Sequence, residues 1–207
     1  MNILRTARVA LPSVAALTLT LAFAGPAAAD PAFVIRSGSQ INFAALPGES
    51  NNVTFRVSMS GGFLEVNDSG NPLTPGPGCV QFANPNTVRC GAAASVTRIQ
   101  ASLGDRDDVA TNNTSIASDI VGGEGDDILV GGSGPDRLTD SDGWNAAPGA
   151  TTLTFDGRGG NDTILSRNGG FDRINCGENP ADFDILMADA ATLDSVVPNT
   201  CEFVQRF

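Results

Sequence analysis

The apolar residues of this chain change rhythm twice. They predominate over residues 9–22, with Arg5 and Arg8 before them and Gly25, Pro26 and three alanines after them. About 14 residues fall short of the roughly 20 that a membrane-spanning helix needs, so the order basic, apolar, small predicts a secretory signal over residues 1–29, cleaved after Ala29. From residue 33 to 66 apolar and polar positions alternate with period two: Ile41 and Phe43, then Val53, Phe55, Val57 and Met59 along one face of NNVTFRVSM. That period predicts β-strands, separated by turn chemistry in LPGESNN, SGG and NDSGNP. SVTRIQASL reads as a further strand leading into GDRDDVA. Beyond Val121 nearly every short apolar cluster follows glycine and aspartate, as in DDILV, PDRLT, NDTIL, FDRIN and FDILM.

A turn followed by a very short strand buries almost nothing alone, so such units gain stability only by stacking on one another, as in a solenoid. The expected organisation is an N-terminal β-rich part of the solenoid or cap over residues 30–103 and a glycine and aspartate repeat solenoid over 104–187. A C-terminal cap over 188–207 lacks the repeat and is tied back by Cys201.

Written as GGxGxDxUx, with U a large apolar residue, the repeat is complete in residues 122–130 through Gly122, Gly123, Gly125, Asp127 and Leu129. It is complete again in 131–139 through Gly131, Gly132, Gly134, Asp136 and Leu138. The next nine residues, DSDGWNAAP, lose the glycine frame and place Asn145 at the aspartate position, with Asp140 and Asp142 nearby. A third unit follows at GRGGNDTIL, where Gly157, Gly160, Asp162 and Ile164 match and Arg158 replaces a glycine. Asp162 lies 35 residues after Asp127, close to the 36 expected for two coils of two nonapeptides each.

Calcium takes six to eight oxygens and accepts carboxylates mixed with backbone carbonyls, and glycine allows a turn that presents its carbonyls. The expected metal site therefore has Asp127, Asp136 and Asp162 as principal Ca2+ ligands. Turn oxygens come from around Gly122, Glu124 and Gly125, around Gly131, Ser133 and Gly134, and around Gly157, Gly159 and Gly160. Asp108 and Asp172 are further candidates, and Asp184 keeps an aspartate before an apolar residue.

These nonapeptides resemble the repeats-in-toxin, or haemolysin-type calcium-binding, family, and the order of the flanking motifs is similar to that of small secreted actinobacterial members. The resemblance covers nearly the whole chain after residue 29. It implies an all-β fold, a right-handed parallel β-roll or β-solenoid, with N-terminal β-strands and a disulfide-tied C-terminal cap. It also implies calcium ions held between turns two repeats apart on the same side, and it supplies no activity.

Charge agrees with a cation as partner. Removing residues 1–29 takes away two arginines and no acid, so the net charge of −11 becomes −13, with neither histidine nor lysine in the chain. Such a surface repels nucleic acid and anionic membranes, and no later stretch is apolar enough to span a bilayer. Four cysteines behind a secretory signal read as two disulfides. Three pairings are open, and short loops favour Cys79–Cys90 with Cys176–Cys201. Zinc is the rival reading, disfavoured because no CxxC pair occurs.

Catalysis has few footholds. The absence of histidine removes HExxH sites and Ser-His-Asp triads. A glycoside hydrolase or lyase working through an aspartate pair is the remaining enzyme alternative, and it would need carboxylates flanking a groove with aromatics, for which Trp144 is the single tryptophan. The expectation is a secreted, non-catalytic, calcium-stabilised binding or structural module whose protein or glycan partner is unknown. The alternative is a solenoid whose repeats have decayed and serve structure or interaction alone.

Overall fold

A computed structural model describes residues 31–143, 151–177, 179 and 181–207. The signal expected over residues 1–29, Asn145 and Trp144 lie outside the described residues. The N-terminal part contains β1 (Ala32–Ser37), β2 (Gln40–Ala44), β3 (Asn52–Val57), β4 (Phe63–Asp68), β5 (Leu73–Pro75), β6 (Val80–Phe82) and β7 (Asn84–Ala92). After a 3-10 turn at Ala93–Ser95 come β8 (Arg98–Asp105), β9 (Val109–Asn113), β10 (Ala117–Glu124), β11 (Ile128–Val130) and β12 (Asp136–Thr139). The last six are β13 (Phe155–Asp156), β14 (Thr163–Ser166), β15 (Arg173–Asn175), β16 (Ile185–Ala188), β17 (Ser195–Val196) and β18 (Phe203–Arg206). The described residues contain no α-helix.

The strands form two nine-stranded sheets, ordered β18-β16-β14-β12-β10-β8-β2-β1-β5 and β17-β15-β13-β11-β9-β3-β4-β7-β6. From β2 and β3 onward every neighbour along the stack is parallel and successive strands alternate between the sheets, which makes a β-solenoid of about five turns. At the N-terminal end β1, β4, β6 and β7 add antiparallel pairings that close the stack.

Two apolar columns fill the interior between the sheets. One runs Phe43, Ala101, Ile120, Leu138, Ile164 and Leu186 and ends on the exposed Val204, the other runs Val53, Ala110, Leu129, Phe155, Ile174 and Val196. The apolar residue of every repeat thus lands on its equivalent in the next coil, because strand alternation sends residues two apart to the same face. Val53 and Phe55 are buried as period two predicts, whereas Val57 and Met59 are exposed. The reason is length: β9 pairs with β3 only as far as Arg56, so no coil covers the residues beyond it.

The stacking also runs across residues 103/104 and 187/188. β8 spans the first boundary, and the closing segment forms two further strands, β17 and β18, paired in register beneath β15 and β16. The disulfides are Cys79–Cys90 and Cys176–Cys201. The first lies in the antiparallel end and the second ties the last coil to β15, so each braces one end of the stack.

Candidate functional site

The two complete nonapeptides do not stack on each other. Residues 125–127 turn from β10 to β11 on one edge of the solenoid, and residues 131–135 turn from β11 to β12 on the other. Asp162 consequently lies one coil below Asp136, and not two coils below Asp127. The 35-residue spacing misleads because the lengthened turn between β12 and β13 shifts the count by one nonapeptide. In the same register Leu153, and not Asn145, takes the place below Asp127.

On the β11–β12 edge the column is Ser118, Asp136, Asp162, Asp184 and Glu202. Each backbone N–H donates to the carboxylate one coil below: Ser118 to Asp136 Oδ1, Asp136 to Asp162 Oδ1, Asp162 to Asp184 Oδ1 and Asp184 to Glu202 Oε2, all at 2.8 Å. On the β10–β11 edge Asn51 N–H donates to Asp108 Oδ1 at 2.6 Å and Asp108 N–H to Asp127 Oδ1 at 2.9 Å. The column breaks at Leu153 and resumes with Asp172, whose N–H reaches Asp194 Oδ1 at 3.1 Å. The aspartate of the repeat therefore first satisfies a buried N–H of the preceding turn, which burial obliges some acceptor to do.

What the second carboxylate oxygen meets separates the sites. Asp136 Oδ2 accepts from Gly132 N–H at 2.5 Å, and its Oδ1 accepts from the Ser118 hydroxyl at 2.6 Å as well as from the Ser118 N–H. Asp172 Oδ2 accepts from the Asn168 amide at 2.9 Å, and Asp194 Oδ2 from Asp189 N–H at 2.7 Å. Oδ2 of Asp108, Asp127 and Asp162 is buried with no donor. Unpaired buried oxygens of this kind are costly.

The glycine that opens each repeat shows where those oxygens aim. A Cβ on Gly157 would lie 2.6 Å from Asp162 Oδ2 and collide with the Cys176 carbonyl oxygen. One on Gly131 would lie 2.6 Å from the Gly157 carbonyl oxygen and 2.7 Å from Asp136 Oδ2. One on Gly122 would collide with Asp127 Oδ2 and lie 2.7 Å from Asp140 Oδ1. At all three positions the bare glycine is flanked by the carboxylate of its own turn and an oxygen of the next coil. Gly125 and Gly160 serve differently, with φ of +132° and +106°, and a Cβ there would press on the backbone of the coil above at Arg106 and Gly134. Glu124 and Ser133 are exposed, and Gly159 has only Asp182 within reach, at 3.8 Å.

Burial sets the electrostatics. Removal from water pushes the carboxyls of Asp108, Asp140 and Asp162 up to about 8, Asp172 up to about 7 and Asp127 up to about 6. Neighbouring carboxylates add to the rise, Asp127 on Asp140, and Asp136 and Asp184 on Asp162. Asp136, Asp184 and Asp194 are raised by burial too. Among the described residues no arginine pairs with any aspartate of these columns, the ion pairs lying at Glu65, Asp119 and Asp156. A cation, or protons, must therefore balance them.

The donor set, all oxygen and part carboxylate, part carbonyl, fits a hard cation of the calcium type. Among the described residues no three Asp, Glu, Cys or His side chains gather into a cage that holds an ion unaided. Carbonyl-rich coordination does not require one. Asp194 and Glu202 went unnoticed in the sequence because LDSV and CEFV lack glycines, although each keeps an acid two places before an apolar residue. A groove outside the columns, along Val57, Asn113, Ser115 and Arg158, is lined by no acid and no aromatic residue. Comparison of the chain with protein-family models, with curated proteins and with solved structures finds no match in any of the three.

Proposed function

We propose that this is an exported calcium-binding β-solenoid of the repeats-in-toxin type, in which Ca2+ bound at the stacked turns completes the fold, and which acts as a non-catalytic binding or structural module. The observation that carries the reading is the set of donorless buried oxygens on Asp108, Asp127 and Asp162, two of them beside a bare glycine and an oxygen of the next coil. Asp108 and Asp127 on one edge and Asp162 on the other would hold separate ions with neighbouring turn oxygens. When bound, the cation would supply the positive charge that buried carboxylates lack and draw adjacent coils together. Export is supported by the apolar N-terminal run and by disulfides, which persist in oxidising compartments. Among the described residues no helix is long and apolar enough to cross a membrane.

Thermal unfolding of the oxidised protein in EDTA and in millimolar calcium tests the reading. Calcium is expected to raise the midpoint, since a ligand that binds only the folded state stabilises it by mass action; equal midpoints would sink it. A second reading, a solenoid held by proton-sharing aspartates without metal, draws on the saturation of Asp136 and Asp172 by protein donors. It predicts those equal midpoints.

A further inference from the structure

The residues that interrupt the repeat contain a carboxylate where the other coils place a carbonyl. Gly131 stacks on Gly157 and Gly157 on Cys176, so the next-coil oxygen beside each glycine is a backbone carbonyl. Gly122 stacks on Asp140, and there the oxygen beside it belongs to the Asp140 side chain.

Asp140 is 6 % exposed and Asp127 3 %, so both carboxylates are taken from water. The loop chain holds Asp140 in place: its Oδ1 accepts from Ser141 N–H at 2.9 Å and Gly123 N–H at 3.2 Å, and the Ser141 hydroxyl donates to the Gly123 carbonyl. Asp142 accepts from Gly125 N–H at 3.1 Å, which fixes the tip of the same turn. Asp127 Oδ2, by contrast, has no N–H or hydroxyl donor and faces the same space beside Gly122, where the Asp127 and Asp140 carboxyls lie within hydrogen-bond reach of each other.

We infer that Asp127 and Asp140 together form a two-carboxylate calcium site at Gly122, so that the DSDG interruption strengthens cation binding at this edge and does not end it. The inference rests on the calcium reading above. It differs from the Gly157 position in charge: two carboxylates meet the ion here, one carboxylate and a carbonyl there, and calcium affinity rises with the number of charged ligands. Asp142 is a positioning residue, acting through the Gly125 N–H.

The test follows calcium binding by titration calorimetry, and the calcium-induced rise of the unfolding midpoint, in the full protein with Asp140→Asn and Asp162→Asn beside it. Asparagine keeps the acceptor for Ser141 and Gly123 and removes the charge. The expected result is a midpoint in EDTA at or above wild type for Asp140→Asn, with its tightest calcium class weakened about tenfold or more, while Asp162→Asn affects a separate class. Wild-type affinity and stoichiometry in Asp140→Asn overturn the inference. If calcium binding is lost in Asp162→Asn and kept in Asp140→Asn, this site fails and the calcium reading stands; a wild type that binds no calcium defeats both. Should Asp140→Asn not fold, crystals of the wild type grown in calcium decide. An ion about 2.3–2.6 Å from Asp127 Oδ2 and the Asp140 carboxylate supports the site, and an ion-free contact between the two carboxyls overturns it.

Discussion

The backbone N–H of Asp136 donates to Asp162 Oδ1 at 2.8 Å, which seats one aspartate above the other on a single edge of the solenoid. Asp162→Asn keeps that acceptor and places an amide donor on the side of Gly157 where the Cys176 carbonyl lies. In EDTA at pH 8 the variant is expected to unfold at or above the wild-type temperature, and in calcium to show a smaller rise. Asp162→Ala, which leaves the buried Asp136 N–H without a partner, should cost about 1–3 kcal/mol in either buffer. Paired unfolding curves check both.

Acidity should act in the same currency. The carboxyls of Asp108, Asp140 and Asp162 sit near 8 in the folded protein against an ordinary value of 3.8. Between those values the folded state binds more protons than the unfolded, so stability is greatest at low pH and falls as pH rises through that window. In EDTA the midpoint is expected to drop between pH 5 and pH 8. Calcium, which needs the deprotonated form, should give its largest rise at the alkaline end. A flat profile in EDTA would count against buried, unneutralised carboxylates.

Neighbouring glycines should respond differently to a methyl group. Gly160 has φ +106°, and its Cβ would lie 2.5 Å from the Gly134 carbonyl oxygen, whereas Gly159 has open space apart from Asp182 at 3.8 Å. Gly160→Ala is expected to cost about 1–3 kcal/mol or more, and Gly159→Ala to stay within about 0.5 kcal/mol. Denaturant unfolding of the two variants measures the contrast.

Cys176–Cys201 joins β15 to the segment leading into β18 and closes 25 residues of chain. Replacing both cysteines by serine should lower stability by about 2–4 kcal/mol. Hydrogen exchange is expected to show the loss of protection first in β17 and β18, which have a neighbouring coil on one side only. Uniform loss over all coils would mean that the last coil is not held by this bridge.

The alternation around Ile41 and Phe43, the two complete nonapeptides and the four cysteines were enough to read an all-β solenoid with apolar residues inside and aspartates at the turns. Those features are local: period two assigns the face of a strand, and a glycine frame assigns a turn, whatever lies beyond. Which turns stack was not legible, because DSDGWNAAP lengthens one connection and register is set by the column of apolar residues closing over it, Leu129 on Phe155 and Leu138 on Ile164. That packing alone brought Asp162 under Asp136, put Leu153 where Asn145 was expected and carried Asp140 beside Gly122. The sequence by itself determined the repeating unit and the residue types in it. Tertiary structure decided which carboxylates share a space, since a side chain in a solenoid meets its neighbour one coil away and that distance along the chain is set by the insertions between them.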